Sequence, residues 1–185
     1  VIPMMVGIGL ACRAQGRSVV TLTYIGDGGS STGECHEALN YAAVLKAPLV
    51  LFIENNQYAY STPTRMQTAC TEFVHRAQGY GVYGESVDGN DVLAVHEITR
   101  RSVERARAGH GPTIIEAHTM RMQGHAAHDD HKYVPRELLA EWEKRDPIER
   151  YERHLIETGL FTSAELSGIE ADVLRHVDEE VEAAR

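Results

Sequence analysis

No stretch of this 185-residue sequence reaches the roughly 20 consecutive apolar residues that a membrane-spanning helix needs. The apolar run Val1–Cys12 is too short, and it lacks the basic leader of a signal peptide. A membrane role is therefore not expected. Cysteine is scarce: Cys12, Cys35 and Cys70 are odd in number and form no CxxC pair. That excludes a disulfide framework or a zinc ribbon and reads as free thiols in a cytoplasmic, reducing compartment. Positive charge is also short, with Lys+Arg 18 against Asp+Glu 27 and a net charge of −9. A basic face for nucleic acid or an anionic membrane is excluded on that ground. The GxGxxG dinucleotide fingerprint, internal repeats, low-complexity tracts and long linkers are all missing. So is an initiator methionine, and the opening Val-Ile-Pro is expected to continue a longer chain.

What is present suits one soluble domain over 1–185, with 43% hydrophobic and 24% charged residues. Val19, Val20, Leu22, Tyr24 and Ile25 predict a strand ending at Gly26, and Leu49 to Ile53 a second, both buried on two faces as in a parallel sheet. Between them, Glu34 to Lys46 carries the stripe Cys35, Ala38, Leu39, Ala42 and Ala43 of an amphipathic helix. Ser31 with Glu34 three residues later is read as its capping box. Strand, glycine turn, helix and strand make a βαβ unit. The pattern repeats with a weak strand at Glu85–Val87 and a helix from Asp91 to about Arg107, buried through Val92, Val95, Ile98 and Val103. A strand at Thr113–Ala117 follows. The fold class is α/β, a parallel sheet flanked by helices. From about 136 to 185 a helical extension is expected, its last helix starting at the capping box Thr162 and Glu165 and striped by Leu166, Ile169, Val173, Val177 and Val181.

Chemistry points to Gly26-Asp27-Gly28-Gly29. Ligands of open parallel sheets bind at the C-terminal strand ends, where Asp27 falls. Gly28 and Gly29 let a phosphate approach backbone N–H groups, and the next helix points its positive end there. Asp27 itself repels phosphate unless a cation stands between, and Mg²⁺ takes carboxylate and amide oxygens together with phosphates. A simple tight turn is the alternative. Asn55-Asn56 ends the neighbouring strand and brings an amide oxygen to the same sheet edge.

Gly-Asp-Gly followed at this interval by Asn-Asn resembles the thiamin diphosphate signature. Gly33-Glu34, His36 to Asn40, Lys46-Ala47-Pro48, Val87 to Val92, Ala108-Gly109, Gly111-Pro112, Gly124-His125 and Asp146-Pro147 resemble the alpha subunit of 2-oxo acid dehydrogenase first components. The resemblance covers essentially the whole chain. It implies a thiamin diphosphate-dependent decarboxylase that passes an acyl group to lipoyl carriers. Asp27, Asn56 and the Tyr58 carbonyl would hold Mg²⁺. Gly26, Gly28, Gly29, Ala59 and Arg121 would contact the cofactor, with Ile2 near its middle. His125 would be catalytic, on a mobile loop closing over the diphosphate.

From the residues alone, the loop 124–131, with His125, His128, His131, Asp129 and Asp130, stays open to two other readings: a solvated polar segment or a transition-metal site. Ala126 stands where regulated relatives carry a phosphorylatable serine. The resemblance further implies a beta subunit in an α₂β₂ assembly, a lipoyl acyltransferase partner and a 2-oxo acid substrate. The family's N-terminal diphosphate-binding segment is absent from the sequence, and the carboxylate that activates the aminopyrimidine belongs to the beta subunit, so the isolated chain is expected to be inactive. A transketolase-like enzyme and a non-catalytic assembly fragment are the alternatives.

Overall fold

Along the chain the elements are α1 (Ile2–Ala14), β1 (Thr21–Gly26), α2 (Gly33–Val44), β2 (Leu49–Asn55), β3 (Tyr58–Ala59), β4 (Thr62–Pro63), α3 (Arg76–Tyr80), β5 (Tyr83–Asp88), α4 (Val92–Arg107), β6 (Thr113–His118), α5 (Arg136–Glu143), α6 (Pro147–Glu157) and α7 (Ser163–Ala183). The computed structural model describes all of residues 1–185, in two compact units, Val1–Lys144 and Arg145–Arg185.

In the first unit β1, β2, β6 and β5 lie side by side in that order, all parallel. The expected βαβ unit is β1–α2–β2. β2 and β6 occupy the centre, which is why Leu49 to Ile53 and Thr113 to Ala117 read as unbroken apolar runs rather than alternating ones. One face packs Leu49, Leu51, Ile53 and Ile114 against Ile2, Val6, Leu39 and Ala42 of α1 and α2. The other packs Val50, Phe52 and Ile115 against Ile98 of α4. Each such side chain removed from water contributes roughly 1.5–3 kcal/mol. Gly9 lets α1 approach the sheet: a Cβ there would lie 3.2 Å from Thr21 Oγ1 and 3.3 Å from the Pro48 carbonyl. The opposite side of α1 stays uncovered, with Val1, Met4 and Ile8 exposed.

Two sequence expectations are corrected. Ser31 and Glu34 form no capping box. Ser31 lies in a 3-10 turn, Gly29–Ser31, and the helix begins after Thr32, whose hydroxyl donates back to the Gly29 carbonyl. Ser31 Oγ accepts from Arg76 instead, and Glu34 reaches the Val1 amino group. Val92 is exposed, whereas Ser102 and Ala106 join Ile98 on the buried side of α4. Asp91 caps that helix as expected, accepting from the Leu93 and Ala94 N–H groups. The helix α5 belongs to the first unit, where Leu138, Leu139 and Trp142 cover Tyr58, Met120 and Val134.

In the second unit Asp146 caps α6 and Pro147 sits at its first turn, where a missing N–H costs nothing. Gly159, at φ +69, ends that helix. The Thr162–Glu165 capping box of α7 forms in both directions. Ile169, Val173, Val177 and Val181 of its stripe remain about half exposed.

Candidate functional site

At the C-terminal edge of the sheet, Gly26 of β1 pairs with Glu54 of β2, and the Asp27 N–H continues the ladder to the Glu54 carbonyl at 3.2 Å. Asp27 is 2% exposed. Its backbone carbonyl accepts from Ser30 Oγ at 2.6 Å, which closes the turn beneath it. Its carboxylate accepts only from a neutral donor: Gln67 Nε2 lies 2.8 Å from Oδ2. Gly28 is required by close approach, since a Cβ there would lie 2.5 Å from Ala59 Cβ. A Cβ on Gly29 would meet Ile25 at 2.9 Å. The glycine cradle thus exists because larger residues do not fit.

The two asparagines divide their work. Asn55 is buried: its Nδ2 donates to Glu116 Oε1 at 2.7 Å, and its Oδ1 accepts from the Gln57 N–H and the Thr64 hydroxyl. It pins the β3–β4 hairpin to the sheet. Asn56 is half-buried, and its Oδ1 accepts only the Tyr58 N–H at 3.2 Å, leaving a lone pair. The Tyr58 carbonyl accepts from Arg121 at 3.2 Å, again with one lone pair remaining. A carboxylate, an amide oxygen and a carbonyl are the hard oxygen set that suits Mg²⁺.

Past β6 the chain keeps its register with β2, because the Thr119 N–H donates to the Asn55 carbonyl at 3.0 Å. That brings Arg121 over the hairpin, where its guanidinium donates to the carbonyls of Tyr58 and Tyr60 and to Tyr133 Oη. His125 stands beside it, its Nδ1 3.5 Å from Arg121 and its ring tilted at 58° against Tyr60, with the centroids 4.8 Å apart. Asp129 shapes the loop. It accepts from Tyr133 Oη at 2.6 Å, the His125 N–H at 2.7 Å and the His131 N–H at 3.1 Å. The Tyr133 hydroxyl and then the His125 N–H lower its pKa from 3.8 to about 2. Gly124 permits this turn, as a Cβ would fall 2.2 Å from the Asp129 carbonyl.

Asp27, Gly28, Gly29 and Ala59 are therefore gathered at one place, and Asn56, Tyr58, Arg121 and His125 follow around the hairpin. Ile2 is different: it is 3% exposed, inside the core of α1 and α2. The loop histidines do not converge as a metal site. The convergent ligand atoms belong to Glu72, Glu116 and His118, within 4.8 Å of one another. This trio acts as a brace, because both oxygens of the fully buried Glu116 are engaged, by Asn55 Nδ2 and by the Val74 N–H. A cleft of about 810 Å³ opens beside it, lined by Asn55, Tyr58, Cys70, Glu72 and His118. A smaller one of about 380 Å³ reaches Asn56 and Arg121 from the α4 face. Sequence reasoning missed Gln67, Tyr133 and Glu116. Only the buried position of Glu116 in an apolar run offered a signal.

The model of the dehydrogenase E1 component family matches residues 1–185. The chain belongs to the dehydrogenase E1 component family. It is 44% identical over 158 residues to the 3-methyl-2-oxobutanoate dehydrogenase subunit alpha of Mycobacterium tuberculosis, covering 85% of this chain and 43% of that one. It is 40% identical over 180 residues to the pyruvate dehydrogenase E1 component subunit alpha of Staphylococcus aureus, covering 96% and 48%. This E1 chain thus spans about half the length of the curated relatives it matches. A solved structure from Mycobacterium smegmatis, described as a candidate thiamin diphosphate-dependent enzyme, aligns with 65% of the chain and 22% of its own at 28% identity and a TM-score of 0.48. No helix of the E1 chain is long and apolar enough to cross a membrane.

Proposed function

We propose that this E1 chain supplies the diphosphate-binding half of a 2-oxo acid dehydrogenase first component, holding Mg²⁺ and thiamin diphosphate between the ends of β1 and β2. The observation that carries this reading is the buried Asp27 carboxylate beside a glycine cradle that tolerates no Cβ at Gly28. A carboxyl group at 2% exposure with no cationic side chain bonded to it suits a bound counter-ion, and a carboxylate, an amide oxygen and a carbonyl are oxygens Mg²⁺ takes. Asp27, Asn56 and the Tyr58 carbonyl would hold the cation, and Gly26, Gly28, Gly29 and Ala59 would lie along the diphosphate. The cofactor, when bound, supplies the carbanion chemistry of decarboxylation.

The chain's own residues then orient and enclose. Arg121 holds the hairpin carbonyls and carries positive charge toward the phosphate end. His125 sits on the segment 121–133, where it would meet charge developing at the reacting carbon. Closure of that segment would exclude water. A beta subunit would complete the site in an α₂β₂ assembly, a lipoyl acyltransferase would take the acyl group, and the protein would work in the cytoplasm. Ile2 would reach the cofactor only after shifting out of the α1–α2 core. Residues 1–144 and 145–185 would act as one functional domain.

Calorimetric titration of thiamin diphosphate into the complex with its beta subunit, at fixed Mg²⁺, tests this. Removing one charge-assisted contact costs about 1.5–3 kcal/mol, so Asp27→Asn should weaken binding roughly 10- to 150-fold. Unchanged affinity would overturn the assignment. The chain alone should turn over neither pyruvate nor a branched-chain oxo acid.

A further inference from the structure

Gln67 follows a 3-10 turn, Thr64–Met66, that returns the chain from the β3–β4 hairpin to the mouth of the β1 turn. Its Nε2 has two acceptors, Asp27 Oδ2 at 2.8 Å and the Thr62 carbonyl at 2.9 Å, so both amide protons are used. Its Oε1 is buried and has no partner. A Cβ on Gly28 would lie 3.9 Å from that oxygen, which places it at the rim of the glycine cradle. Reversing the amide would turn oxygen toward a carboxylate and a carbonyl, two acceptors, so the network itself fixes the orientation. A buried acceptor left without a donor is unfavourable, and this one lies beside the carboxylate read above as a cation ligand.

The chemistry of the missing donor is restricted. Ionised phosphate oxygens only accept and cannot serve an amide oxygen. Water carried by a divalent cation donates, and Mg²⁺ keeps several of its waters when protein-bound. We propose that Gln67 is a positioning residue for the cation, its N–H holding the Asp27 carboxylate and its Oε1 accepting from a cation-bound water. This rests on the reading of Asp27 as a cation ligand. The hydrogen bond on Oδ2 leaves Oδ1 to face the ion, and it fixes the carboxylate's rotation before the ion arrives. Supports of this kind behind a metal ligand typically change affinity 10- to 100-fold.

The test uses the complex with the beta subunit, thiamin diphosphate at fixed concentration, and Mn²⁺ as the probe. Free Mn²⁺ is read by electron paramagnetic resonance, and thermal unfolding is recorded on the same samples. Gln67→Leu should weaken Mn²⁺ binding roughly 10- to 100-fold in a complex that still assembles, with the unfolding midpoint of the cation-free complex lowered because Asp27 and the Thr62 carbonyl lose their donor. Gln67→Met, closer in shape to glutamine, should do the same if the leucine variant assembles poorly. Binding within twofold of wild type in either variant, with Asp27→Asn strongly impaired, would overturn the role of Gln67 and leave the site intact. Wild type and Asp27→Asn binding alike would instead remove the site itself, and this inference with it. Loss of assembly in both Gln67 variants would assign the side chain to folding and overturn the proposal.

Discussion

The ends of β1 and β2 and the segment 121–133 reach the same hairpin, yet they are built from opposite materials. At the strand ends the polar groups are buried and sparsely bonded. Asp27 has one side-chain donor, and Glu116 has two neutral donors. In the segment 121–133 the groups are partly exposed and densely bonded. Arg121 reaches Tyr58, Tyr60 and Tyr133, while Asp129 holds His125, His131 and Tyr133. Burial multiplies the cost of breaking a bond, because the deserted partner has no water to turn to. Exposed bonds exchange with water and allow motion. The contrast separates a preorganised half, where charge is to be held, from a half suited to opening and closing.

Breaking the buried half should have the largest effect. Glu116→Ala strands the Asn55 amide and the Val74 N–H inside the sheet edge, and each stranded donor costs about 1–3 kcal/mol. Urea unfolding should therefore show a loss of roughly 2–6 kcal/mol from the two donors. A loss under 1 kcal/mol would mean that this brace is solvated and the contrast fails there.

Arg121→Met tests the exposed half and should leave global stability nearly untouched. The carbonyl it frees at the exposed Tyr60 can turn to water, in contrast to the donors under Glu116. Amide exchange across 121–133 should quicken while exchange in β2 and β6 stays slow. On the proposed function, binding of thiamin diphosphate to the complex should weaken as well, because Arg121 would no longer carry positive charge toward the phosphate end. Unchanged exchange in the segment would place its order in Tyr133 and Asp129 instead.

How far the sequence revealed each half follows from the same physics. The parallel sheet was legible because its strands are buried on both faces: Leu49 to Ile53 and Thr113 to Ala117 carry their burial in their composition. The strand-end positions of Asp27 and Asn56 were legible because turn glycines and paired asparagines leave a local pattern. The bonds made by Gln67, Glu116 and Tyr133 were not, since each depends on residues from 4 to 61 positions away. The Ser31–Glu34 capping box failed for a related reason. Arg76, from a distant helix, takes the Ser31 hydroxyl, and no local spacing announces it. The stripe of α7 was read correctly as apolar, yet periodicity alone cannot say whether such a face is covered.

The smallest effect is a pH dependence confined to the exposed half. Asp129 has its pKa lowered from 3.8 to about 2, first by the Tyr133 hydroxyl and then by the His125 N–H. Its folded pKa lies below its unfolded one, so the ordering it contributes is fully present above about pH 4. It fades as pH falls toward 2, when the carboxylate takes up a proton and ceases to accept from both donors. Amide exchange in 121–133, corrected for the intrinsic effect of pH, should be constant from pH 7 to 5. Protection should then fall below pH 4, ahead of any loss in β2. In Asp129→Asn the segment should already be loosened at pH 7 and show no further step in acid. A wild-type segment that loosens at pH 5 or 6 would instead trace its order to the nearby histidines, and would move the exposed half's control from a carboxylate to an imidazole.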